Sequence, residues 1–356
     1  MVILRSAGVL LVAATLGLLV STIFARNKEQ TLYRYRFAAN ERGYMFLHAV
    51  DNDLRVLVTF DPETNQSHVE HLPHGHIWSV SPAPSNDAFY IAYSDYVSVS
   101  EFKAGRRPIS TLSTCSMAPI ACRPVFTFNR QIANPIDLGP DGILFVSGEP
   151  ELRSDPFTPN DPFVGLREFD FFWRDSAGNI HRLTEWKAAS LVSASSGNGR
   201  VVFELHPRLG SSRSKRAPRL PTSEIFSATF RMTEQGGSLE HDEAIPAIEV
   251  GKELDTKPYV SPDGSKVAIL SASNSTEQRG RRYDVVIADI ETKEILFVTK
   301  PEQGAAFSPP IFINNQTVRF MSYDGETYTF RQIDLAAKRE TTLGHLQAGA
   351  IKPKIN

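Results

Sequence analysis

Apolar and polar residues alternate along this chain in short runs separated by turn residues. The clearest set lies between Asp255 and Thr299. Pro258, Tyr259 and Val260 form an extended segment, Ser261-Pro262-Asp263-Gly264 a tight turn, and Lys266 to Ser271 an apolar strand. Tyr283 to Ile290 is a third strand that ends in the turn Asp289-Ile290-Glu291-Thr292, and Ile295 to Val298 is a fourth. Pro262 sets φ at the first corner, Asp263 bonds its own backbone, and Gly264 takes a position that a side chain would crowd. Four antiparallel strands joined by short loops cannot bury both faces alone, so this unit needs stacked copies.

The same order of events recurs. A first unit from Thr31 to Leu72 carries the turn Asp61-Pro62-Glu63-Thr64, an echo of Asp289 to Thr292. A second, from Ile77 to Leu112, opens on Val80-Ser81-Pro82 and reads as strands at Ala88–Asp95, Tyr96–Phe102 and Ile109–Leu112. A loop with two cysteines then leads to a third unit, Asn134 to Thr184. Its Pro135-Ile136-Asp137-Leu138-Gly139-Pro140-Asp141-Gly142 matches the first segment and turn of the clearest unit with one extra residue. The fourth, Ala188 to Ile248, is the most degenerate. The clearest unit is the fifth, and a sixth runs from Phe307 to Leu343. Six four-stranded antiparallel units repeated radially make an all-β fold, a six-bladed β-propeller. A blade that combines N- and C-terminal strands, with Thr31 to Phe37 among them, is expected to close the ring.

The segment from Pro258 to Ile269 resembles the repeat of TolB-like propellers: a proline, an aromatic, Ser-Pro-Asp-Gly and an apolar strand. Pro135 to Val146 is a strong variant. The resemblance covers most of residues 31 to 345 and implies the propeller fold. It further implies a binding platform, alone or attached to a catalytic domain. The tail, residues 346–356, is too short for such a domain.

Ahead of the first unit, residues 1–30 hold an uncharged apolar run from Ser6 to Ala25, flanked by Arg5 and by Arg26 and Lys28. A run of that length spans a bilayer core as a helix. Ala25 suits the last position before a signal-peptidase cut and Ile23 suits the third-last poorly, so a cleaved signal peptide and an uncleaved anchor both stand. Either exports the body to a periplasmic or extracellular space. Cys115 and Cys122, in CSMAPIAC, are then a local disulfide or two free thiols. The formal net charge of −2 excludes a nucleic-acid partner on electrostatic grounds.

Chemistry-bearing motifs are sparse. His68, His71, His74 and His76 crowd together in SHVEHLPHGH and are weak candidates for a divalent metal. His68 and His71 lie three apart on a strand and so point to opposite faces. No nucleophile elbow, HExxH, P-loop or dinucleotide fingerprint occurs. Asp141 and Asp263 read as turn formers. Arg208 to Pro221 is a basic loop, a site for an anionic partner or for processing at Arg213-Ser214-Lys215-Arg216, or a plain surface loop. Asn65, Asn274 and Asn315 begin glycosylation tripeptides, which matter only in a eukaryotic secretory pathway. Alternation puts Phe169, Phe171 and Trp173 on one strand face and Phe172 on the other. Trp78 begins an inner strand and is the candidate for lining the central channel.

The reading is an exported, membrane-tethered or released propeller that binds a protein or peptide partner, with no catalytic residues, no resident metal and no cofactor. The alternatives are a metal-assisted carbohydrate lyase or hydrolase built on the same fold, and a peptide-recognising propeller.

Overall fold

The computed structural model describes residues 36–49, 55–71, 76–85, 87–154, 162–188, 190–206, 224–234, 236–244, 258–273, 282–299, 302–303 and 305–352. The apolar leader, His74 and the basic loop lie outside these residues. Among the described residues no helix is long and apolar enough to cross a membrane.

Six antiparallel sheets follow one another along the chain. Blade 1 is β1 (Phe37–Ala39), β2 (Tyr44–Ala49), β3 (Arg55–Asp61) and β4 (Gln66–Glu70). Blade 2 is β5 (His76–Pro82), β6 (Ala88–Ser94), β7 (Ser110–Ser116) and β8 (Cys122–Phe128). Blade 3 is β9 (Ala133–Asp137), β10 (Ile143–Ser154), β11 (Pro162–Arg174) and β12 (Ile180–Arg182). Blade 4 is β13 (Ser190–Gly197), β14 (Arg200–His206), β15 (Glu224–Thr233) and β16 (Gly236–Ala244). Blade 5 is β17 (Tyr259–Val260), β18 (Lys266–Ser273), β19 (Arg282–Asp289) and β20 (Ile295–Val298), with β21 (Glu302–Gln303) also paired to β19. Blade 6 is β22 (Ala306–Phe307), β23 (Ile311–Asn314), β24 (Thr317–Tyr323), β25 (Thr327–Asp334) and β26 (Arg339–Gln347), with β22 and β23 both paired to β24. The innermost strands touch in the order β1, β5, β9, β13, β17, β23 and back to β1, so the ring is closed. Each blade is sandwiched between two others. Second strands are therefore buried on both faces, as Val267, Ala268, Ile269 and Leu270 are on β18.

Local side-chain bonding explains why the turns recur. Asp263 accepts from Ser261 Oγ at 2.6 Å and from Ser265 N at 3.0 Å, and Ser261 Oγ accepts from Lys266 N at 2.9 Å. Gly264 has φ +75° there, and a Cβ on it would meet the Gly197 carbonyl oxygen of blade 4 at 2.7 Å. In blade 3 the bonding carboxylate is Asp137, which accepts from Gly139 N at 2.7 Å, while Asp141 offers its carbonyl to Trp173 Nε1 at 2.7 Å. The two echoing turns between third and fourth strands share one geometry. Asp61 accepts from Glu63 N and Thr64 N, and Asp289 from Glu291 N and Thr292 N.

These first turns lace one face of the ring. Asn40 Nδ2 reaches Ala88 O, Tyr90 OH reaches Asp137, Arg200 reaches Gly264 O, Asp263 N reaches Asn315 Oδ1, and Arg319 reaches Asn40 O. Blades 3 and 4 meet instead through rings, with Trp173 and Phe230 centroids 5.9 Å apart.

Two expectations need correcting. Among the described residues no mixed blade closes the ring, since every blade comes from one contiguous stretch; Thr31 to Tyr35, most of the segment expected to close it, lie outside these residues. Blades 6 and 1 are joined by packing, with Phe60 stacked on Phe330 at 4.0 Å and Tyr44 OH bonded to Arg331 O. The chain's last described turn joins this core, since Ile351 is buried in it. The second correction is in blade 2. Tyr96–Phe102 is not a strand; Val99–Lys103 is a helix, α1, capped by Ser98, whose hydroxyl accepts from Glu101 N while Glu101 accepts from Ser98 N. The Val-Ser-Val-Ser alternation imitates a strand, but Ser98-Val99-Ser100-Glu101 is a capping box. Ser110–Ser116 is then the third strand, and the cysteine loop is the β7–β8 hairpin.

Candidate functional site

Cys115 and Cys122 face each other across the β7–β8 hairpin and form a disulfide. The hairpin tip, Ser116 to Ala118, is one wall of a cleft of about 260 Å³ between blades 1 and 2, on the laced face. Thr59, Asp61, Gln66 and His68 make the opposite wall, and Arg42 and Asp87 border it. His68 thus opens into this cleft, whereas His71 is exposed beyond the end of β4. His76 begins β5, at the far end of the blade from the β5–β6 turn. No group of three or more candidate metal ligands exists among the described residues.

The other face carries the longer connections, and those of blades 2 and 3 are built up on it. Residues 95–109 join β6 to β7 and contain α1, which packs on β11. Phe102 is its buried anchor, with the Arg107 guanidinium 4.1 Å from the ring centre. Asp95 N bonds Ile109 O, which places Tyr96 and Ile109 side by side at the foot of the loop, 67% and 50% exposed. Lys103, Arg106 and Arg107 lie between them in sequence, and Arg106 pairs with Glu101. β10 and β11, 12 and 13 residues long, pair along the whole stretch from Ile143 to Ser154. Leu152, on β10, is 36% exposed.

Beneath this platform the interface between blades 2 and 3 is layered. Its middle layer is apolar: Ala92 and Leu112, a cross-strand pair, face Phe145 and Phe172, another such pair. One step along each strand towards α1, the residues on the same faces are Ser94 and Ser110 opposite Ser147 and Asp170, again two cross-strand pairs. All four are buried. Trp78, at a bulge in β5, donates its indole N–H to Ser94 Oγ at 2.8 Å. Asp170 accepts from Arg182 Nη2 at 2.6 Å, Thr184 Oγ1 at 2.9 Å and Lys187 N at 3.2 Å. Ser110 Oγ, Ser147 Oγ and Gln131 Oε1 have no hydrogen-bond partner among the described residues. Gln131 belongs to the same end, between Arg130, whose guanidinium lies over the Phe172 ring, and Ile132, which packs in the apolar layer. A buried polar group left unpaired costs about 1–3 kcal/mol.

No protein-family model matches the chain, and no curated protein matches it. Among solved structures it is similar to TolB from Acinetobacter baumannii at a TM-score of 0.52 and 16% identity, covering 91% of this chain and 68% of that one. It is also similar to Synechocystis ACO (0.46, 12% identity, 85% and 69% covered) and to a luciferin-regenerating enzyme (0.47, 8% identity, 82% and 84% covered), two likenesses below a TM-score of 0.5 that carry no argument. The fold is that of a TolB-like six-bladed propeller.

Within this TolB-like propeller, Phe171 and Trp173 face blade 4 and Phe172 faces blade 2, the alternation expected from sequence. Trp78 lies on the innermost strand of blade 2, half-buried, at the loop-bearing end. The buried Asp170–Thr184 pair was not singled out in the sequence. Its signal was a repeat: Thr184 Oγ1 accepts from Phe171 N in blade 3 as Thr299 Oγ1 accepts from Val285 N in blade 5, and an aspartate precedes each of those amides.

Proposed function

We propose that this protein is an exported propeller acting as a non-enzymatic binding module, with a protein or peptide partner seated on the loop-bearing face of blades 2 and 3. Residues 1–30 are the leader that exports or tethers it, and residues 31–345 are the binding body. The Cys115–Cys122 disulfide is compatible with an oxidising compartment. The observation that supports the partner reading is the exposure of Tyr96 and Ile109 at the foot of a helix-bearing connection that also carries Lys103, Arg106 and Arg107. Aromatic and arginine side chains on a fixed scaffold are the residue types that dominate protein interfaces. The test is affinity capture from the native envelope with the wild type and with a Tyr96→Ser/Ile109→Ser variant. A stoichiometric partner held by the wild type and lost from a variant with unchanged melting temperature supports the reading. Equal capture by both, or a stoichiometric transition metal in the bait with no partner, overturns it.

A further inference from the structure

The polar layer at the loop-bearing end of the blade 2–blade 3 interface has an unfinished hydrogen-bond set. Ser110 is 0% exposed, Ser147 1% and Gln131 7%, and each holds an oxygen with no partner among the described residues. They come from three separate segments, β7, β10 and the β8–β9 connection, and converge on one end of one interface. A fourth such hydroxyl, Ser113, lies on the side of β7 that faces blade 1 and is not part of this set. Buried polar groups are normally satisfied, by ordered water where the protein itself supplies no partner.

We infer that this layer is a binding site for small neutral hydroxyl groups, filled by ordered water in the free protein and open to a polyol hydroxyl arriving beside Trp78. The vacant functions decide the class. Gln131 Oε1 needs a donor, while the two serine hydroxyls both donate and accept. The formal charges at this end are paired with one another, Asp170 with Arg182 at 2.6 Å and Arg130 with Glu149 at 2.9 Å, so neither an anion nor a cation finds an unpaired counter-charge among the described residues. An apolar group would leave all three oxygens unpaired. Water or an alcohol supplies donor and acceptor together. Trp78 marks the way in, because its indole N–H ends on Ser94 and Ser94 is the cross-strand neighbour of Ser110.

The test uses full-length protein labelled with 15N-tryptophan. The chain has three tryptophans, and the indole signal lost in Trp78→Phe identifies Trp78. For solvent as the source, the expected result is a cross-peak from this indole N–H to long-lived water, weakened in Ser110→Ala and Gln131→Leu. For a polyol as the source, glycerol or glucose shifts the same signal saturably. A crystal structure should place water or polyol oxygens within hydrogen-bond distance of Ser110 Oγ, Gln131 Oε1 and Ser147 Oγ. A dry layer in the crystal, with no water cross-peak and no polyol shift, overturns the inference. The reading of Tyr96 and Ile109 as a partner site stands or falls separately, because capture does not depend on these three residues.

Discussion

Blades 6 and 1 meet through rings from the core outwards; blades 2 and 3 meet through rings at mid-depth and through hydroxyls and a carboxylate towards one face. At the first junction Tyr44, Phe46, Phe60, Tyr328 and Phe330 interlock, with ring centroids as close as 4.0 Å. Their polar tips are all engaged: Tyr44 OH bonds Arg331 O, and Tyr328 OH lies 2.7 Å from His48 Nδ1. Space there is so limited that a Cβ on Gly344 would sit 2.8 Å from the Phe60 ring. The second junction is left with three orphan oxygens. Among the described residues no strand is shared between the chain's ends, and the closing junction is filled by interlocking rings. A junction inside the contiguous chain is held by covalent continuity and keeps a polar layer without opening the ring.

The sharpest way to break this contrast is Phe330→Ala. It removes the ring at the centre of the closing cluster and should cost about 3–5 kcal/mol, read as a lowered denaturant midpoint with the loss of cooperative closure. The matching cut at the other junction is Asp170→Ala. It strands the Arg182 guanidinium and frees Thr184 and Lys187 N, for about 2–3 kcal/mol, less than the closing cut because Arg182 is partly exposed. A milder probe of the closing junction is pH. Burial holds the His48 pKa below its ordinary value, so the unfolded chain binds the proton more readily than the folded one. Stability therefore rises with pH through the window from the folded pKa up to about 6.5 and is lost as pH falls through it. The melting temperature should drop between pH 7.5 and pH 5, and His48→Gln should flatten that drop. The smallest effect belongs to Ser147→Ala. It removes an unpaired hydroxyl, and the melting temperature should stay within about 0.5 kcal/mol equivalents of the wild type or rise. A large loss would mean that Ser147 already has a strong partner and that the two junctions differ less than their geometry says.

Acid unfolding should draw also on the laced face. Burial raises the Asp263 pKa, but bonds from Ser261 and Ser265 outweigh it and bring it down to about 2. Its contribution is present above the ordinary carboxylate pKa and is lost as pH falls towards 2.

The parts legible in the sequence are those whose cause is local. Ser261 to Gly264 and Asp289 to Thr292 fold through side chains bonding backbone within a few residues, so their spelling repeats wherever the turn does. The β7–β8 hairpin, which puts Cys115 opposite Cys122, was not legible, because the cysteine stretch read as a loop leading to the third unit. Helix α1 was also written locally, in Ser98 and Glu101, but a chance alternation of valine and serine wrote a strand over it. The histidine run shows the reverse relation: though close in sequence, His68 lies at a cleft on one face and His76 at the other end of the next blade.

By itself, then, the sequence determined six four-stranded units and most of their turns, because period-2 alternation and turn chemistry act over a few residues. Tertiary structure alone decided how the ring closes, which blade faces meet, and that Ser110, Gln131 and Ser147 share one buried layer. Those outcomes depend on the packing of segments tens to hundreds of residues apart, and no local pattern records which neighbour a strand face will find.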